Sequence, residues 1–207
     1  ANITFSLTYD EIQMFDVKEL TREIRINGVG EIEGSDSYYI TNKAPEGTNI
    51  ESIEILLPPN VINETVTAED EFRRTMPQPT FINETIIRYE VALALPLESQ
   101  KSVRFTAKYH LPSELYISQE GFDNFKFRFP LFQDINYYIE QSSVTFVLPE
   151  GAKISSENAS ASKSYDIARG IFQETVTVNG EGVFWLDSFA IEITFEYNLL
   201  WSSFRPT

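Results

Sequence analysis

The chain has 207 residues, 42% of them hydrophobic and 14% aromatic, with 16 Lys and Arg set against 31 Asp and Glu for a net charge of −15. That acidity argues against a nucleic-acid partner, because phosphate binding needs clustered Lys and Arg, and it disfavours anionic lipid headgroups. The aromatic content excludes disorder, and the absence of cysteine excludes disulfides and thiolate metal sites.

Residues 1–19 mix Phe5, Leu7, Tyr9 and Met14 with acids and read as an edge strand followed by a turn. From Thr21 to Glu33, Ile24 and Ile26 alternate with Glu23 and Arg25, while Asn27-Gly28 and Gly30 permit a bend or bulge. An extended run resumes around Tyr38, Tyr39 and Ile40. Residues 44–49 are a loop with Pro45 and Gly47, and Ile50 to Leu57 is the next strand. From Val61 to Phe81 the chain is polar, acidic and broken by Pro77 and Pro79, which predicts an irregular connection.

Thr85 to Leu95 returns to strand, with Ile87, Tyr89, Val91, Leu93 and Leu95 on one face. Three cleaner patterns follow. Val103, Phe105, Ala107 and Tyr109 alternate with polar residues, as do Phe125, Phe127 and Phe129, and this period of two marks strands with one buried face. Val144 to Leu148 is apolar on nearly every residue, as expected of a core strand or one covered on both sides. Ile154 to Ser164, rich in Ser and Ala, predicts a loop or short helix. Asn179-Gly180, between Glu174–Val178 and Val183–Leu186, is a hairpin signal because that dipeptide tolerates a type I′ turn. Phe189 to Tyr197 is the last strand. Leu57-Pro58, Leu95-Pro96, Leu111-Pro112 and Leu148-Pro149 each end a strand-like run, since proline lacks the donor a ladder needs.

About nine or ten strands with no long amphipathic helix predict an all-β fold, an antiparallel β-sandwich or two packed curved sheets. One domain spans residues 1–207, with a sub-division near 97–101 as the other option.

Little of this suggests catalysis. His110 is the single histidine and reads as a solvated strand-end residue. The chain has no Gly-x-Ser-x-Gly elbow, phosphate loop or His-Glu-x-x-His, so no catalytic, cofactor-binding or metal residue is assigned. The stretch from Ala44 to Phe72 has no Lys or Arg and carries Glu46, Glu51, Glu54, Glu64, Glu69, Asp70 and Glu71. The last three are adjacent, without the alternation of a calcium loop. Sequons begin at Asn2, Asn63, Asn83 and Asn158, surface acceptors if the chain enters a glycosylating compartment. Tyr137, Tyr138, Trp201 and Phe204 are candidate interaction aromatics, alongside Tyr38 and Tyr39, and core packing is the competing reading. The tail 198–207 carries Leu-Leu-Trp-Ser-Ser-Phe beyond the last strand, the composition of a juxtamembrane anchor.

Tyr109, Leu111-Pro112-Ser113, Tyr116, Gly121, Phe127-Arg128-Phe129, Ser143, Thr145 and Leu148-Pro149-Glu150-Gly151-Ala152-Lys153 stand in an order that resembles ribophorin I, a non-catalytic subunit of oligosaccharyltransferase. Weaker matches are Thr21-Arg22 with Ile24, Gly30, Ile32 and the Ile53–Pro58 strand, and Thr194 to Leu200 resembles the strand leading into that family's membrane helix. The resemblance covers the membrane-proximal luminal domain. It implies an extracytoplasmic ectodomain, in the endoplasmic reticulum lumen or at a cell surface, and a membrane span beyond this chain. It also implies a scaffolding or substrate-handling role beside a catalytic glycosyltransferase subunit, with no cofactor. The alternative from the residues alone is a cell-surface β-sandwich adhesion or S-layer-type module.

Overall fold

The computed structural model describes residues 14–83, 88–131, 137–159, 165–169, 171–183 and 190–198. The fold is all-β. Among the described residues fourteen strands are joined by turns, a helical turn, α1 (Ser113–Tyr116), and a 3-10 turn at Asn63–Thr65. In chain order the strands are β1 (Phe15–Ile26), β2 (Ile32–Asn42), β3 (Ile50–Leu56), β4 (Thr67–Asp70), β5 (Thr80–Asn83), β6 (Arg88–Leu97), β7 (Ser102–Leu111), β8 (Ile117–Gln119), β9 (Asn124–Pro130), β10 (Ile139–Val147), β11 (Lys153–Ala159), β12 (Tyr165–Arg169), β13 (Glu174–Val183) and β14 (Ala190–Glu196).

They form three sheets rather than two: seven strands in the order β12-β13-β10-β1-β2-β7-β4, four in the order β11-β14-β9-β8, and three in the order β3-β6-β5. Among the described residues all pairings are antiparallel except β1 with β10, a parallel pair running from Val17 opposite Ile139 to Arg25 opposite Val147. The inward rows of all three sheets share one apolar core. Leu20, Ile24, Phe105 and Val144 from the large sheet meet Phe127, Phe129 and Ile193 from the four-stranded sheet and Ile55 and Val91 from the three-stranded one. At its centre Phe127, Phe129 and Phe146 form a triangle with ring centroids 5.5–5.8 Å apart, a tilted and offset packing that aromatic quadrupoles favour.

Several expectations are corrected. Residues 15–19 belong to a central strand, not an edge, and Asn27 to Gly30 close a hairpin between β1 and β2. Between 61 and 81 the chain is more regular than its acidity suggests, because β4 finds an open edge on β7 and β5 one on β6. Residues 153–159 form an edge strand, since pairing with the apolar β14 compensates for a Ser-rich sequence. Asn179 and Gly180 make no hairpin: β13 runs straight through them, paired with Ser143 and Ser142, and the left-handed residue is Gly182 at φ 61°. Pro96 lies inside β6, where the register jumps from Ala92 opposite Ser52 to Leu97 opposite Ile50, so it occupies an unpaired bulge.

Candidate functional site

The inward row of the large sheet carries a charged pair. Arg22 on β1 and Asp36 on β2 are opposite each other in register and are 2% and 0% exposed. Arg22 Nε and Nη2 donate to the two Asp36 oxygens at 2.9 and 2.5 Å, and Nη1 donates to the Leu131 carbonyl at 2.9 Å. Tyr109 completes the set, its hydroxyl donating to Asp36 Oδ1 at 2.7 Å. Its ring lies flat on Gly34, where a Cβ would come within 2.0 Å of it. Burial opposes the charge on Arg22, but the adjacent carboxylate outweighs it and holds the guanidinium's pKa well above its ordinary value. Burial, then the Asp36 carboxylate, pushes the Tyr109 phenol well up, and burial as the largest cause pushes Tyr137 up to about 12. A buried, fully bonded fork of this kind organises the core and leaves no group facing a substrate.

The outward face is different. Its cross-strand rows are small and polar: Asn179, Ser143, Thr21, Ser37, Thr106 and Glu69 stand side by side across six strands. The next row reads Thr177, Thr145, Glu23, Ser35, Lys108 and Thr67. Hydroxyls bond across strands, Ser37 with Thr106 at 2.8 Å and Thr145 with Thr177 at 3.1 Å. A third row contains Glu181, Gln141, Glu19, Tyr39 and Arg104, in which the Arg104 guanidinium lies 4.1 Å from the Tyr39 ring centroid and bonds Glu19 at 3.0 Å. Two shallow recesses indent this face. One of about 630 Å³ is lined by Glu19, Thr21, Gln141, Ser143, Asn179 and Glu181. The other, about 550 Å³, has Glu23, Glu33, Thr67, Lys108 and His110 on its walls. Such a surface offers many neutral donors and acceptors and suits a polar chain laid across it. Ser142, the one hydroxyl buried at the first recess, is committed to the Gly180 carbonyl at 3.0 Å.

The sequence candidates are scattered. Tyr137 is corrected as a surface residue: it lies just before β10 and is buried, its ring packing against Phe15 of β1 at 6.2 Å between centroids. Tyr38 is likewise buried, stacked on Phe105. Tyr138 is exposed and lies over Gly182. Trp201 and Phe204 fall outside the described residues, as does Asn2. Asn63 is exposed on its 3-10 turn, its side-chain oxygen accepting from the Tyr89 hydroxyl. Asn83 ends β5 and Asn158 lies within β11, the side chains of both being outside the described set. Of the three adjacent acids, Glu69 pairs with Lys108 at 2.7 Å and Asp70 with Arg74 at 2.6 Å. No local motif in the sequence marks the hydroxyl rows as a group. Their trace is Ser or Thr at alternate positions, as in Ser35 and Ser37, Ser143 and Thr145, and Thr175 and Thr177.

No family model matches the chain, and no curated protein matches it. Among solved structures, it is similar to an M1 zinc metallopeptidase from Deinococcus radiodurans, at TM-score 0.51 and 16% identity over 88% of this chain and 43% of that one. A two-domain M1 zinc metallopeptidase bound to L-arginine gives 0.52 and 15% over 86% and 42%. A candidate protease from Parabacteroides distasonis gives 0.52 and 9% over 89% and 40%. The zinc in two of those names finds no fitting residues here: the chain has one histidine and no cysteine, and no three His, Cys, Asp or Glu among the described residues are placed to hold a metal. The chain spans well under half the length of these neighbours, and at such identities the likeness is one of fold alone.

Proposed function

We propose that the chain is a non-catalytic accessory module, scaffolding or handling substrate beside the catalytic subunit of an extracytoplasmic, oligosaccharyltransferase-like membrane complex. The observation that carries this reading is where the ribophorin-like residues lie. Tyr109, Tyr116, Phe127, Phe129 and Leu148 are all buried in the shared core, Tyr116 ring to ring with Phe129 at 5.6 Å, and Gly151 takes the left-handed turn at φ 87° that its place in the motif demands. These resembling positions contribute to the core, while others of the set, Gly121, Arg128, Glu150 and Lys153, are exposed. The polar sheet face supports the handling role, since a glycan or an extended polypeptide can be held there by neutral hydrogen bonds. Affinity isolation of the full-length protein from native membranes tests the proposal: a membrane glycosyltransferase should copurify, and its repeated absence rejects the reading.

A second reading has its own support. Likeness to M1 zinc metallopeptidases over 86–88% of this chain favours a β module that accompanies a peptidase catalytic unit. The same isolation separates the two, because a copurifying peptidase in place of a glycosyltransferase selects the second.

A further inference from the structure

Four turns come together at one end of the molecule, and each is tied to its neighbour. β1 and β10 run parallel, so the 27–31 turn after β1 and the 148–152 turn after β10 leave the sheet side by side. Gly151 N donates to the Phe172 carbonyl at 3.0 Å, joining the connection between β12 and β13 to the same place. β11 begins at Lys153 opposite Glu196, and the following residue, Tyr197, donates its backbone N–H to Asp123 in the turn between β8 and β9. The Tyr197 hydroxyl donates to the Gly28 carbonyl at 3.2 Å and closes the circle.

The tips of this rim are apolar and uncovered. Val29 is 78% exposed, Phe122 79%, Ile171 93% and Phe172 71%. A single exposed apolar side chain needs no explanation, but large apolar tips gathered from three separate turns at one end do. They project from the tips of turns, which suits a fluid surface better than a shaped protein partner. The last described strand leaves through the same rim, and the residues next in sequence are Leu199, Leu200, Trp201 and, after two serines, Phe204. That composition, aromatic and aliphatic with little charge, is typical of the zone where a membrane meets water. Around the tips Glu31, Glu120, Glu150 and Glu196 are exposed, against Arg25 and Lys153. That balance repels a negatively charged leaflet.

We propose that this rim seats the molecule on a bilayer of zwitterionic lipid, with Val29, Phe122, Ile171 and Phe172 entering the interfacial layer. The inference rests on the membrane association in the function proposed above and adds which surface makes the contact. It fixes the orientation: the strands of the large sheet end at the membrane, and the hydroxyl-rich face stands beside it, open to a substrate from the side.

Flotation of the whole chain with phosphatidylcholine vesicles tests the proposal. The wild-type protein should float, and the Ile171→Ser/Phe172→Ser and Phe122→Ser variants should partition about tenfold or more weakly, as removal of one or two inserted apolar side chains predicts. Leu95→Ser and Phe72→Ser remove side chains that are 78% and 69% exposed away from the rim, and should float like wild type. Adding phosphatidylserine should weaken binding. The proposal is overturned if the wild-type protein fails to float, if anionic lipid drives the binding, or if the rim variants float unchanged while circular dichroism shows all variants folded. Copurification of a glycosyltransferase reads the complex and vesicle binding reads the rim, so failure of one leaves the other to stand or fall by itself.

Discussion

Arg22 and Asp36 are a pair whose energetics turn on what is removed. Asp36→Ala leaves a guanidinium that is 2% exposed without its carboxylate, and the expected loss in urea unfolding is about 3–5 kcal/mol. Arg22→Met together with Asp36→Leu should cost less than the sum of the two single changes, because apolar partners leave no stranded charge. Tyr38, Tyr109, Tyr116 and Tyr137 make a second residue-scale prediction. Burial raises each folded pKa, Tyr116 and Tyr137 to about 12. The unfolded chain therefore loses these protons first, near pH 10, and the native state binds more protons above that point. Stability should be intact below pH 10 and fall steadily above it, and tyrosinate absorbance at alkaline pH should rise together with loss of tertiary circular dichroism. A titration that ionises these phenols in a still-folded protein would contradict their burial.

At the scale of elements, β13 and β2 decide between sequence pattern and context. In a type I′ turn Asn179→Thr would be damaging, since a β-branched residue resists positive φ. In a paired strand on an exposed face it should be neutral or stabilising, within about 0.5 kcal/mol, and thermal melting reads the difference. Gly34→Ala should destabilise by about 1–3 kcal/mol, the cost of overpacking, as Tyr109 must leave its place against the backbone. The strands around Phe105, Phe127 and Ile193 were legible because a single buried face writes a period of two into the chain. The edges were not. β4, β5 and β11 exist because a partner strand offers unpaired groups, and no local pattern in Thr67–Asp70 or Ser155–Ser156 records that. Likewise Asn179-Gly180 has the composition of a turn and the environment of a strand, and the ladder with β10, which continues through both residues to Val183, prevails.

For the whole molecule, the class of fold was readable and the grouping into three sheets was not, because sheet membership depends on pairs far apart in sequence. The same limit hid the polar face: Thr21, Ser37, Thr106 and Ser143 are unremarkable singly and become a surface only when registered. Tyr137 and Tyr138 show it in miniature, since two adjacent tyrosines look equivalent until the approach to β10 buries one against Phe15 and leaves the other exposed. The two proposals are also made at this scale. Copurification asks which catalytic unit stands beside the module, and flotation asks which end it stands on.

The parallel seam between β1 and β10 sets an order on events during synthesis. Lys18 and Glu140, which bond across it, are 122 residues apart. When β1 and β2 emerge they can close at once as a hairpin, and β7 can join their far side, but the other edge of β1 must wait until residue 147 has been made. At about 5–20 residues per second that wait lasts on the order of ten seconds, with an unpaired edge and half a core exposed. The chain is thus a slow and late-closing folder by topology. Truncations ending before β10 should be captured by folding helpers or aggregate, whereas those ending beyond β14 should yield soluble, native protein.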